Sequence, residues 1–118
     1  MVLIYGQVSF AGSGVPTLSA INSKGIVSIT RNGTGLYTFV FGTTSGSLDT
    51  YYHLGMVKHV FKNATAPAAP QMYIVADNSA TAGTASIQLQ FASSGSATDP
   101  GSGEVLLVSF EFQNSSAV

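Results

Sequence analysis

The segment GIVSITRNGTGLYTFVFG, residues 25–42, decides the fold. On both sides of Asn32-Gly33, apolar and polar residues alternate with the period of two that half-buried strands require. Asn-Gly is strongly preferred at the centre of a type I′ turn, because both central residues of that turn have positive φ. The segment therefore predicts an antiparallel hairpin that turns at Asn32-Gly33. The residues predicted to share a face are Val27 and Ile29 on the first strand, and Tyr37, Phe39 and Phe41 on the second.

Similar stretches recur along the chain. Further strands are predicted at residues 2–10, 50–54, 56–61, 71–76, 85–92 and 104–113. Residues 50–61 form either two short strands or one strand bent at Gly55, and the apolar run QMYIVA at 71–76 is typical of a strand buried on both faces. No stretch carries the period of an amphipathic helix. The pattern predicts an all-β fold, a single β-sandwich or jelly-roll-like domain of seven or eight antiparallel strands over residues 1–118.

The low content of charged residues indicates how the surface is used. Only 8% of the residues are charged, against about 25% in an ordinary soluble domain. The net charge is -1, so electrostatic repulsion between copies is weak. Such a surface is suited to packing against other copies or another protein, although a neutral soluble domain rich in Ser and Thr is the simpler alternative.

Several partners are excluded by composition. Four cationic residues are too few to neutralise many phosphates, so we expect no nucleic-acid partner. No stretch approaches the roughly 18 apolar residues of a membrane helix, and the first ten residues lack the basic region of a secretory signal. We therefore expect no membrane partner. The absence of cysteine excludes disulfides and thiolate metal sites.

No constellation of residues predicts catalysis. His53 and His59 are the best pair of metal ligands, but Gly55 between them breaks the strand register, and no third ligand is evident. Serines such as Ser13 lie in glycine-rich loops without the GxSxG motif of a hydrolase. Glu104 and Glu111 fall on opposite faces of one predicted strand, so they cannot act as a catalytic pair. We expect no enzymatic activity, no cofactor and no metal.

Residues 27–41, VSITRNGTGLYTFVF, resemble a recurring segment of phage tail-fibre and head-decoration β-domains, in which a strand ending in Arg-Asn turns through glycine and returns as Gly-x-Tyr-Thr-x-x-Phe. Tyr51-Tyr52 and residues 99–112 are similar to later parts of the same domains. The resemblance implies a β-sandwich that is commonly trimeric, displayed on a virion and without enzymatic activity. Fibre domains follow long shafts, whereas this sequence begins at Met1, which favours a decoration protein.

The expected function is therefore that of a homotrimeric capsid decoration, or cement, protein on the exterior of a phage capsid. Its partners would be its own copies and the major capsid protein or other virion proteins. The alternative is a receptor- or glycan-binding module of a tail fibre, in which Tyr51 or Tyr52 stacks on a sugar ring. The candidate interface residues are Val2, Ile4, Tyr51, Tyr52, Phe110 and Phe112.

Overall fold

The computed structural model describes residues 2–42, 53–62, 71–79 and 85–113. These ranges contain strands and turns but no helix. The strands are β1 (Val2–Ser9), β2 (Thr17–Leu18), β3 (Ile26–Gly33), β4 (Leu36–Phe41), β5 (His53–Lys62), β6 (Gln71–Asn78), β7 (Ser86–Ser93), β8 (Ser96–Ala97) and β9 (Val105–Gln113). Seven of them have six residues or more, and β2 and β8 have two residues each. The predicted all-β class is confirmed.

Two antiparallel sheets form the sandwich. Sheet A has the strand order β2-β1-β9-β5, and sheet B has the order β3-β4-β7-β6, with β8 also pairing with β7. The rings of Phe41 and Phe110 lie 5.0 Å apart, which places β4 against β9. The rings of Phe61 and Phe91 lie 5.7 Å apart, which places β5 against β7. At the other side, β3 lies next to β1, where Tyr5 and Lys24 form an isolated bridge.

Alternate residues of β4, β7 and β9 build the core, as the sequence predicts. A strand places successive side chains on opposite faces of its sheet, so a period of two yields one apolar face per strand. Aromatic rings from both sheets meet edge to face, the arrangement that their quadrupoles favour. The buried residues of these three strands are Tyr37, Phe39, Phe41, Ile87, Leu89, Phe91, Leu106, Val108, Phe110 and Phe112.

The β3–β4 hairpin is confirmed, but its predicted turn is wrong by two residues. Gly33 pairs with Leu36, so the connection is Thr34-Gly35. Gly35, with φ +68°, adopts the left-handed conformation instead of Asn32-Gly33. A Cβ at Gly35 would collide with the carbonyl oxygens of Phe91 and Thr98. The turn is therefore fixed by a close approach to β7 and the residues after β8, which the local Asn-Gly preference does not include.

A β-bulge overturns the predicted position of Val27. The β3–β4 register shifts between Ile26 and Ser28, so Val27 has no partner in the ladder. Ile26 is buried in its place, whereas Val27 is 45% exposed. Ile29 packs against the core as predicted.

Strands β5 and β6 settle two further predictions. Residues 53–62 form one strand whose register shifts between Leu54 and Met56, so the alternative of a single strand bent at Gly55 is confirmed. The prediction that residues 71–76 are buried on both faces is wrong. Strand β6 is the edge of sheet B, and its residues Tyr73, Ile74 and Val75 are exposed. An apolar run alone does not tell a central strand from an edge strand.

Candidate interaction surfaces

The predicted interface residues do not form a surface. Ile4, Phe110 and Phe112 are at most 2% exposed, because they point between the two sheets. They complete the core and leave nothing for a partner to contact, so their assignment to an interface is corrected. Val2 pairs with Phe112 in the β1–β9 ladder. Tyr51 and Tyr52 lie outside the described residues.

The opposite face of the same strands does present apolar side chains to solvent. In the register of sheet A, Gln7, Leu107 and Val60 lie side by side across three strands. The residues two and four positions further along this ladder lie on the same face of the sheet. Large hydrophobic residues are therefore exposed on one continuous sheet face. We call this surface the A face; its exposed apolar residues are Leu3, Tyr5, Met56, Val60 and Leu107.

A shallow depression of about 370 Å³ lies in the A face. It forms where the small side chain of Ser109 lies between Tyr5 and Lys58 on the neighbouring strands. On its rim, the Asn22 side-chain amide donates a hydrogen bond to Gln7 Oε1 at 3.2 Å. One aromatic ring, two amides and an ammonium group thus surround an apolar floor, which combines stacking and hydrogen-bonding groups.

Charge on the A face is low and mostly balanced. Lys58 Nζ lies 3.5 Å from Glu111 Oε1, and the lysine side chain is largely exposed. An exposed pair of this kind contributes little stability. Its effect is to neutralise the two charges next to the apolar residues, which lowers the cost of covering them with a neutral partner.

The outward face of sheet B is different, since polar side chains bond one another there. Asn32 Oδ1 accepts hydrogen bonds from the Thr38 hydroxyl and from Gln88 Nε2. Gln90 Nε2 donates to the backbone oxygen of Thr34 at 3.1 Å. Gln88 and Gln90 alternate with the buried Ile87, Leu89 and Phe91 and therefore face outward. The two outer faces of the sandwich therefore differ in chemistry, one apolar and one rich in amides.

Asp99 is the centre of the strongest polar cluster among the described residues. Its Oδ1 accepts hydrogen bonds from Arg31 Nε at 3.1 Å, Gly35 N at 2.7 Å and the Tyr37 hydroxyl at 3.1 Å. Its Oδ2 accepts one from Arg31 Nη2 at 2.8 Å. Hydrogen bonds from the Arg31 guanidinium lower the pKa of Asp99. Burial and the bond to Asp99 raise the pKa of Tyr37 to about 12.

This cluster joins the β3–β4 turn to the segment after β8. The single carboxylate of Asp99 accepts all of these hydrogen bonds. The arginine binds it through two parallel bonds, the geometry that guanidinium and carboxylate groups favour. All the groups are engaged with one another, so the cluster is structural. Sequence reasoning missed it, because Asp99 lies more than 60 residues from each of its partners. Asp99-Pro100 in a polar loop is the only local signal.

The residues considered for chemistry are dispersed. His59 contacts Phe61, with the ring centroids 6.0 Å apart, and burial lowers its pKa. Glu104 lies just before β9, is buried and accepts a hydrogen bond from Gly101 N at 3.0 Å, whereas Glu111 lies within β9 on the A face. The predicted common strand therefore does not include Glu104, and the structure does not bring the two carboxylates together. Within the described ranges, no three His, Cys, Asp or Glu side chains come together as a metal site would require.

Comparison with known proteins found no family model, no curated protein and no solved structure that matches this chain. In the described part of the chain, no helix has the length and apolar character needed to cross a membrane.

Proposed function

We propose that this protein is a structural virion subunit without enzymatic activity, a capsid decoration protein that packs as a homotrimer and stabilises the lattice of a phage head. It is made in the host cytoplasm and binds the capsid exterior, with the major capsid protein as its partner. The observation that supports the proposal best is the A face, where large apolar residues lie exposed on a rigid sheet.

An exposed apolar sheet face is costly to leave in water and is therefore a sign of a contact surface. Leu107 lies on the middle strand of this face with Val60 beside it, Leu3 pairs with Glu111 further along the same strand, and the Lys58–Glu111 pair keeps the surroundings close to neutral. Interface cores have this composition, with apolar residues enriched and charged residues depleted. The resemblance of residues 27–41 to phage decoration and fibre domains supplies the identity of the partner.

The first test locates the chain. Virions purified from the source cells are analysed by mass spectrometry and cryo-electron microscopy. We expect the chain on the outside of the head, around symmetry axes of the lattice, with the A face toward the capsid shell. Its absence from purified particles would refute the proposal.

A second test measures binding to heads that lack the protein. Leu3→Lys adds a charge to the A face next to Glu111, a neighbour that keeps the new lysine tolerable in the free protein. We expect it to abolish cosedimentation with the heads, because Glu111 already pairs with Lys58 and the added lysine would bury one positive charge in excess, which is expensive in an interface. Ser102→Lys adds the same charge to an exposed loop and serves as the matched control. Equal binding of both variants would contradict the role of the A face.

The depression around Ser109 favours a second candidate, a receptor- or glycan-binding module of a tail fibre. A tyrosine ring with amides beside it is a suitable surface for a sugar, because the ring stacks on apolar C–H groups while the amides bond hydroxyls. A glycan array tests this function. Saturable binding that is lost in Tyr5→Ala would support it, as would loss in Tyr51→Ala or Tyr52→Ala. No binding to any glycan would dismiss it.

A further inference from the structure

Strand β6 has no strand of sheet A over it in the described part of the chain. Strand β5 is the last strand of sheet A on this side, and its Phe61 packs on Phe91 of β7. Sheet B therefore extends one strand further than sheet A. Ile74 illustrates the result, because it pairs with buried Leu89 and yet is 42% exposed.

The side chains of β6 are unusual for an exposed edge strand. Tyr73 and Val75 are 55% and 50% exposed, and Asp77, near the end of the strand, is its only charged residue. Edge strands are normally protected from pairing by lysines and other charges. Strand β5, the edge of sheet A on the same side of the sandwich, has such protection in Lys58 and Lys62. Among the described residues, the composition of a strand buried on both faces is thus combined with one unpaired edge and with apolar residues exposed on both faces, while Met72 packs against the core.

The opposite end of the sandwich also exposes apolar residues. Strand β3 is the other edge of sheet B, and Val27 on it is 45% exposed. The segments on either side of β2, which contacts β3, expose Val15 at 79% and Ile21 at 92%. The two edge strands of sheet B therefore lie at opposite ends of the described sheet, and each exposes a valine; the other exposed residues of β3 are polar, namely Ser28, Thr30 and Asn32.

The strand directions make these two edges compatible. All neighbours in sheet B are antiparallel, and the sheet has four strands between its edges inclusive, so β6 runs opposite to β3. A second copy rotated about an axis parallel to the strands keeps its strand directions. Its β3 would therefore lie antiparallel to β6 of the first copy, in the geometry of the more stable ladder.

We propose that β6 of one copy pairs with β3 of the next, so that copies associate head to tail through the two edges of sheet B. The contact joins two different patches, and a contact of this type closes into a ring when the rotation allows. Each copy uses both edges, so three contacts close a trimer. Only the number of subunits, three, rests on the proposed function. The edge pairing itself follows from the exposed residues and the strand directions.

Two matched variants test the contact in purified protein. Val75→Lys and Val27→Lys each change a valine that lies in a β-bulge of an edge strand, with similar exposure. Light scattering after size-exclusion chromatography should find trimers for the unchanged protein and monomers for either variant, with association weakened about a hundredfold or more by the buried charge. Leu3→Lys, on the A face, should remain trimeric. Circular dichroism and thermal unfolding confirm that each variant folds.

Mixing the two variants is the decisive experiment. The Val75→Lys protein retains an intact β3 edge, and the Val27→Lys protein retains an intact β6 edge. An equimolar mixture should therefore form a 1:1 dimer with one sound contact and grow no further. A mixture that stays monomeric overturns the proposal, as does a monomeric unchanged protein at high micromolar concentration. Dissociation by Val75→Lys alone would indicate a symmetric β6–β6 contact and would also overturn it.

The outcomes separate this inference from the proposed function. Head-to-tail trimers that fail to bind phage heads would retain the edge contact and refute the decoration role. Binding to heads by a protein that is monomeric in solution would refute the edge contact and the homotrimer and would retain the decoration role.

Discussion

Replacing Asp99 with alanine tests how much the cluster at the β3–β4 turn stabilises the fold. The change removes the acceptor of Gly35 N and of the Tyr37 hydroxyl, and Tyr37 is completely buried. A buried donor left without a partner costs about 1–3 kcal/mol. Two such donors, with some water entering beside the partly exposed carboxylate, give about 3 kcal/mol. In a domain of this size, that loss lowers the melting temperature by about 12 °C.

Urea unfolding followed by far-ultraviolet circular dichroism measures this loss, since the chain has no tryptophan. Asp77→Ala is the control, because Asp77 is exposed and accepts one local hydrogen bond from Ser79 N. It should change stability by no more than about 1 kcal/mol. Asp99→Asn keeps an oxygen for both donors and should fall between the two. If Asp99→Ala stays within about 0.5 kcal/mol of the unchanged protein at an equal urea dependence, the reasoning about orphaned donors is refuted.

The same carboxylate determines the response to acid. The Arg31 guanidinium lowers the pKa of Asp99 in the folded protein below the value of 3.8 for the free side chain. A group with a lowered folded pKa contributes stability that is present above its unfolded pKa and is lost as the pH falls through its folded pKa. We expect part of the stability to disappear below about pH 4. This part should be missing from Asp99→Asn, and an identical acid profile for both proteins would contradict the assignment.

Five further variants test the turn, the core and alkaline behaviour. Gly35→Ala should lower the free energy of unfolding by about 3 kcal/mol or more, because of the left-handed φ and the collision with backbone oxygens. Gly33→Ala is its control, since a Cβ there meets nothing within 4 Å, and it should cost less than about 1 kcal/mol. Phe110→Ala should cost about 3–5 kcal/mol through the cavity it leaves. Leu107→Ala, on the other face of β9, should cost less than about 1 kcal/mol. Urea unfolding measures all four losses, and equal losses within the glycine pair or within the β9 pair would contradict the assigned environments. The pKa of Tyr37 is raised to about 12 in the folded protein, against 10.0 for the free side chain. The stability that this group contributes is therefore fully present below pH 10 and is lost as the pH rises through 12. Tyr37→Phe should remove this decline, as pH-dependent unfolding would show.

The strands were predictable where the alternation of residues is enforced by the core. In β4, β7 and β9, every second side chain meets the opposite sheet, so sequence period and burial coincide. One extra residue is enough to break this relation. At Val27 the bulge shifts the inward position to Ile26. Nothing in the local sequence indicates that a bulge occurs there.

Features that depend on distant contacts were not predictable. The turn at Gly35 is determined by Phe91 and Thr98, and the role of Asp99 depends on three residues from a different part of the chain. The interface prediction was limited in the same way. The sequence identified β1 and β9 as strands, but only the packing of the sheets shows that Phe110 faces the core and Leu107 faces solvent.

The position of β9 has a consequence for synthesis on the ribosome. It lies between β1 and β5 in sheet A, so strands from opposite ends of the sequence must meet across it. A nascent chain that has emerged only as far as residue 103 holds both neighbours of β9 and none of the side chains that fill the space between them. Contacts so distant in sequence form slowly, because the intervening chain must be ordered first. Sheet A therefore cannot form completely before β9 has emerged, and a circular permutant that places β9 directly before β1 should fold faster.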